Sequence, residues 1–135
     1  MASEYVWPYS ADGLNPPAED DEIDALQRAL GVSLPADLRA FYTFSDGFNG
    51  EFDRRGNYAR IHPLAEVLSC TTGYDVAGQL GLLLIGDNGG EYAFALDQRA
   101  KPPRYVGLPL HAADRSELKE LGANFSELLA ALAAG

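Results

Sequence analysis

A chain of 135 residues, 47% hydrophobic and with 20 acidic against 10 basic side chains, has the size and composition of one packed domain. Its formal net charge of −10 sets nucleic acid and anionic membranes aside as partners, favours encounter with a basic protein, and keeps the domain soluble. Cys70 is the one cysteine, so no internal disulfide forms, and residues 1–4 carry no basic or apolar signal region. Both point to a reducing, cytoplasmic setting. The apolar runs Leu82–Ile85 and Leu128–Ala134 are far shorter than the ~18 residues of a membrane helix.

Residues 1–15 read as an aromatic arm, and 16–135 as a single domain. The arm carries Tyr5, Trp7 and Tyr9 with Pro8, and Pro16-Pro17 close it, so it is expected to lie extended over the core. Asp20–Leu30 is the first helix. Its acidic start suits the positive end of the helix dipole, Ile23, Leu26 and Leu30 share a face, and Gly31 follows as the stop. Pro35–Ser45 is the second, with Pro35 at the first helical position and Leu38, Phe41 and Tyr42 as the buried stripe. A connection of three residues, 32–34, makes the pair a helical hairpin. Phe48–Asn57, rich in Gly, Asp and Arg, reads as a polar loop, and Tyr58–His62 as a short strand. Pro63 opens a short helix with Leu64, Val67 and Leu68, whereas glycines break any pattern over 69–81.

The strongest sheet signal comes next. Leu82–Ile85 is a continuous apolar run, as in a strand covered on both faces. Asn88-Gly89-Gly90 supplies a tight turn. Tyr92, Phe94 and Leu96 then alternate with Glu91, Ala93, Ala95 and Asp97, so one face is large and apolar and the other small or acidic. Residues 98–103 form a turn, and Arg104–Leu108 is a further strand ended by Pro109. His111–Glu120 fits either a loop with a short helix or a last strand. Asn124 caps a final helix with Glu127 as its reciprocal partner, and Phe125, Leu128, Leu129 and Leu132 are the apolar face.

These pieces, in this order and spacing, resemble the SUKH superfamily, and within it the family that includes the fungal cell-wall-assembly regulator. The matching residues are Leu30-Gly-Val-Ser-Leu-Pro35, Asp37-Leu-Arg-Ala-Phe41, Ser45-Asp-Gly47, Ile61-His-Pro-Leu64, Ile85-Gly-Asp-Asn-Gly-Gly90, Phe94-Ala-Leu-Asp97 and Asn124-Phe-Ser-Glu-Leu-Leu129. They span about residues 16–132 and leave out the arm. The resemblance implies an α+β fold with a curved, mostly antiparallel sheet, a helical hairpin at the N-terminus and a helix at the C-terminus. It implies a non-catalytic protein-binding role. Bacterial members are immunity proteins that bind and neutralise a polymorphic toxin, often a nuclease; fungal members are regulators acting through protein contacts.

The chemistry of the residues agrees with a non-enzyme that takes no cofactor. Cys70 sits in no nucleophile elbow, and neither His62 nor His111 has a partner at informative spacing. One Cys and two distant His make no zinc set. Gly86–Gly90 is followed by a strand, not the helix of a phosphate loop, and is flanked by Asp87 and Glu91. Asp46, Asn49, Glu51 and Asp53 cluster in one loop, but Phe48 stands where a calcium loop of the EF-hand kind needs oxygen. The same Asp, Asn and Gly are what tight turns select. Two readings follow. One is an immunity protein that occludes a toxin through Asp46, Asn49, Glu51, Asp87, Asn88, Glu91 and Tyr92, the acids hydrogen-bonding to partner Arg or Lys and Tyr92 serving as anchor or as core. The other is a regulatory or scaffold protein with an endogenous intracellular partner. The residues do not specify the partner or the oligomeric state.

Overall fold

A computed structural model describes Trp7, Tyr9 and residues 12–51, 58–73, 81–90, 92–109 and 115–134. The elements are α1 (Asp20–Leu30), α2 (Ala36–Phe44), β1 (Phe48–Glu51), β2 (Tyr58–Ile61), α3 (Leu64–Gly73), β3 (Leu82–Asp87), β4 (Tyr92–Asp97), β5 (Arg104–Pro109), a 3₁₀ turn over Arg115–Glu117, β6 (Lys119–Gly122) and α4 (Phe125–Ala134). The strands form one open antiparallel sheet in the order β1-β2-β3-β4-β5-β6. The fold is α+β, with helices leading and a helix closing the chain.

The alternation of β4 sorts the sheet into two faces. Phe94 and Leu96 point to the side where Leu83, Ile85 and Tyr105 meet the helices, against Ile23 and Leu26 of α1, Leu38 and Phe41 of α2, and Phe125, Leu128 and Leu129 of α4. Full burial of such a side chain contributes about 1.5–3 kcal/mol. The ring of Phe125 lies 5.0 Å from Phe41 and 5.9 Å from Tyr105, tying the first helices to the last through the sheet. On the other face Ala93 and Ala95 meet Leu82, Leu84, Val106 and Leu108 in a second, smaller cluster.

The helix ends are held as their sequences lead one to expect. The Glu22 carboxylate accepts from the Glu19 N–H at the start of α1. At α4, Asn124 Oδ1 accepts from the Glu127 N–H and Glu127 Oε1 from the Ala123 N–H. Asp37 adds a long-range tie: its carboxylate accepts from the Phe125 N–H at 2.6 Å and from the Tyr105 hydroxyl at 3.3 Å, joining α2, α4 and β5.

The structure corrects several expectations. Phe48–Glu51, expected as the start of a polar loop, is a strand paired with β2; Phe48 is fully buried, and Asn49 and Glu51 ride outward on it. The chain reaches that strand through Gly47, whose φ of +98° and close approach to the Ile61 carbonyl (a side-chain carbon would come within 2.6 Å) leave room for glycine alone. Residues 52–57, the rest of the expected loop, lie outside the described residues. Pro35 precedes α2 as its N-cap rather than opening it, and Ser45 lies beyond its end. Residues 69–73, unreadable as sequence, extend α3.

That extension has a structural reason. β2 pairs with β3 only at Arg60 and Ile61, and the His62 N–H then donates to the Ile85 carbonyl. The chain turns away at Pro63, and α3 takes the place of a strand beside the first half of β3. Thr71 Oγ1 accepts from the Leu84 N–H at 3.0 Å, so a buried ladder donor is satisfied by a helix side chain. Residues 115–122 hold both a 3₁₀ turn and a strand, so both readings of the 111–120 stretch are partly met, while 110–114, His111 included, lie outside the described residues. Trp7 packs on Phe48 at 4.9 Å and Phe41 at 5.6 Å between ring centres, and Leu14 bridges to Phe48, so this part of the arm covers β1 and the core beneath it.

Candidate functional site

The tight turn between β3 and β4 stands between two concavities. On the helix-covered face a groove of about 680 Å³ runs from β2 to β6 past the last turn of α4. Ala59 of β2 and Leu121 of β6 both line it although three strands stand between them, so the sheet curves around the end of the helix. Its floor is Phe94 and Leu132, its walls include Tyr92 and Asn88, and Tyr58 forms the rim. On the other face a smaller pocket of about 190 Å³ opens among Arg60, His62, Cys70, Leu84, Asp87 and the two turn glycines.

Tyr58 is the hub of the groove's polar edge. Its hydroxyl donates to Asn49 Oδ1 at 2.6 Å, its backbone stands opposite Glu51, and its ring lies against Gly89. Asn49, Glu51 and Asn88 are exposed, and Tyr58 is 38% exposed, one of two large apolar side chains so placed among the described residues. Tyr92 is half-buried. Its ring crosses Gly107, where a side-chain carbon would come within 2.6 Å, and meets Phe94 edge-on at 6.2 Å. It therefore packs as core along one edge and lines the groove along the other. Burial pushes its phenol up, so the hydroxyl stays protonated and available as a donor. Beyond the groove floor the helix dipole of α4 presents its negative end, and no basic side chain stands in that last turn. Lys119 lines the opposite side, and Glu120 beside it pairs with Arg104.

Two of the acids picked out in the sequence are engaged inside the protein. Asp46 Oδ1 accepts from the Leu64 N–H at 2.8 Å and so caps α3. Asp87 is 7% exposed; its Oδ2 is 2.8 Å from Arg60 Nη2 and 2.9 Å from His62 Nε2, and its Oδ1 accepts from the Gly89 N–H. Burial alone would raise the Asp87 carboxyl, but Arg60, His62 and the Gly89 N–H outweigh it and hold it below the usual carboxylate range. Glu91 lies outside the described residues. Of the seven candidates, then, Asn49, Glu51, Asn88 and Tyr92 gather around Tyr58, and Asp46 and Asp87 support the backbone beneath them.

Sequence reasoning missed Tyr58 and the meeting of His62, Cys70 and Asp87 in one pocket. The alternation of β2 carries a faint signal, since Arg60 and His62 are two apart and share a side. The partner at the far end of β3 is a matter of pairing. Burial and the Glu66 carboxylate push the Cys70 thiol up, away from the thiolate. Among the described residues no group of three or more His, Cys, Asp or Glu is placed to hold a metal ion, and no helix is long and apolar enough to cross a membrane. Asp46 and Asn49, half of the acidic-loop set weighed for calcium, make the hydrogen bonds just given, and Asp53 lies outside the described residues. The turn glycines lead into β4, the strand that the sequence places after them.

Compared with known families, residues 17–131 match the SMI1 / KNR4 family (SUKH-1). No curated protein matches the chain.

Proposed function

The chain belongs to the SMI1 / KNR4 family (SUKH-1), and from that membership we propose that it is a protein-binding domain without catalysis, an immunity protein that neutralises a toxin domain inside the cell that makes it. The observation that carries this reading is the groove beside the β3–β4 turn, where two tyrosines, exposed polar side chains and the negative end of a helix meet on a protein of net charge −10. Tyr58 and Tyr92 are the aromatic anchors. Glu51, Asn49 and Asn88 offer acceptors to Arg or Lys of a basic partner, while Asp46 and Asp87 hold the strand ends that carry them. A nuclease toxin is the partner class whose active site this acidic surface would occupy as a phosphate mimic.

The test begins with a pull-down from the source organism and close relatives, read by mass spectrometry. The expected product is a secreted protein with a small basic toxic domain. Against that domain, Glu51→Lys paired with Asn88→Lys slows association, and Tyr92→Ala weakens binding by about 2 kcal/mol or more. Full binding by both the double lysine variant and Tyr92→Ala overturns the site. Recovery of intracellular regulators alone overturns the toxin and leaves a scaffold role.

A further inference from the structure

We propose that Asn88 is a site of self-catalysed modification, where the chain converts its own side-chain amide to a carboxylate. The groups this reaction needs meet in the β3–β4 turn. The nucleophile is the Gly89 backbone nitrogen, which closes a five-membered ring when it attacks Asn88 Cγ. Its N–H donates to Asp87 Oδ1 at 2.8 Å, so a carboxylate stands in place to take the proton. Arg60 and His62 help hold that carboxyl below the usual range, so it is ionised at neutral pH. The hydrogen bond lies in the peptide plane and leaves the two faces of the nitrogen, where the new bond forms, open. The electrophile is held as well. Asn88 Oδ1 accepts from the Gly90 N–H at 3.0 Å, which folds the side chain forward over the Gly89 peptide. The same N–H faces the negative charge that the oxygen gains on attack. Gly89, at φ +83°, has no side chain to crowd the ring, and residues 88–90 are exposed to water.

The steps balance with water as the one co-reactant. The Gly89 nitrogen bonds to Cγ, its proton passes to Asp87 and on to the departing amine, and the Cγ–Nδ2 bond breaks to release ammonia. Water then opens the resulting succinimide at one carbonyl or the other, leaving an aspartate or an isoaspartate. Either product adds one negative charge to the formal −10, on the wall of the groove that Asn88 lines. The isoaspartate also lengthens the turn by one backbone carbon, beside the bond from the Asn88 N–H to the Tyr92 carbonyl that closes it. The same dipeptide occurs at Asn49-Gly50, where the fold arranges it differently. Gly50 stands in β1 opposite Ala59, so the ladder keeps its peptide extended. Asn49 Oδ1 accepts from the Tyr58 hydroxyl at 2.6 Å, which draws the amide across to the neighbouring strand and away from its own backbone. The chain thus carries its own control.

The experiment follows amide-to-acid conversion at each asparagine by peptide mapping and mass spectrometry, on the full chain incubated at neutral pH and physiological temperature, folded and in urea. In the folded protein Asn88 is expected to convert about tenfold or more faster than Asn49. In urea both become bare Asn-Gly dipeptides, and the two rates are expected to converge. Asp87→Asn keeps an acceptor for the Gly89 N–H but no base, and is expected to slow Asn88 about fivefold or more while circular dichroism shows the variant folded. Should that variant unfold, the comparison of Asn88 with Asn49 in the wild-type chain decides alone. Equal rates at the two asparagines in the folded protein, a rate ratio that persists in urea, or an unchanged Asn88 rate in folded Asp87→Asn overturns the proposal. No partner enters any arm, so the result stands apart from the immunity reading.

Discussion

The two faces of the sheet are built on different physics. The helix-covered face is packed with rings and large aliphatics, Phe41, Phe48, Phe94, Tyr105 and Phe125 among them, and draws its stability from apolar area. The opposite face is floored by Ala93, Ala95, Val106, Leu82, Leu84 and Leu108, which bury far less per residue. It is framed instead by two carboxylates at opposite ends of the β3–β4 hairpin: Asp87 with Arg60 and His62, and Asp97, which receives Arg115 through both oxygens at 3.0 and 2.6 Å. A sheet face can thus be made specific either by shape or by a few polar fixtures. The second kind is sensitive to pH and leaves small pockets beside the fixtures.

Four changes break or sharpen that contrast. The largest effect is expected on the apolar face: Phe125→Ala removes a ring that touches two others and lowers unfolding stability by about 3–5 kcal/mol, measured by urea denaturation. On the opposite face Asp97→Ala removes the carboxylate that receives Arg115 through both oxygens, at a guanidinium about a third exposed, and costs about 2–3 kcal/mol in the same assay. Ala95→Leu overfills the small face and costs about 1–3 kcal/mol, where an equally apolar change on a surface position costs almost nothing. The smallest effect is Tyr58→Ala, about 1 kcal/mol in stability because a partly exposed ring and its one hydrogen bond to Asn49 are lost, yet with a loss of partner binding. A Tyr58→Ala variant that unfolds more readily than Ala95→Leu would show that the groove rim is part of the core.

The fixtures also set an acid limb. Burial raises both carboxyls, but Arg115 and the Arg99 N–H at Asp97, like Arg60 and His62 at Asp87, more than offset it, and both are held below the usual range. A carboxyl held low in the fold stabilises it at pH values above the unfolded carboxyl's value near ~4, and that contribution is lost as pH falls through the lowered value. Wild-type protein is therefore expected to lose stability steeply below about pH 4. Asp87→Asn and Asp97→Asn, each less stable at neutral pH, should show a flatter acid limb. An unchanged limb in both would place the acid sensitivity elsewhere.

Much of this fold was legible in the chain. β4 wrote the contrast between the faces into alternate residues, large at Phe94 and Leu96, small at Ala93 and Ala95, acidic at Asp97. The caps of α1 and α4 were readable because a helix end is satisfied by residues a few positions away. Trp7 was legible as packing from its company of prolines and aromatics. The candidate site was read less well, because its acids were chosen as turn residues, and turns use acids internally. Asp46 and Asp87 reach Leu64 and Arg60, 18 and 27 residues away, and no local pattern shows such a reach.

By itself, then, the sequence determined the elements held by local rules: the helical hairpin, the paired strands around Asn88-Gly89, the sorting of large from small, and membership of a family whose order of motifs the chain repeats. Only the tertiary structure decided that Phe48–Glu51 is a strand, since a four-residue ladder exists only when β2 lies beside it. It also decided that α3 completes the sheet in place of a strand, that Tyr58 gathers the exposed residues of the turn, and that His62, Cys70 and Asp87 share a pocket. Each of these depends on which distant backbone comes alongside, and that is settled by burying two unequal faces at once rather than by the preferences of any segment.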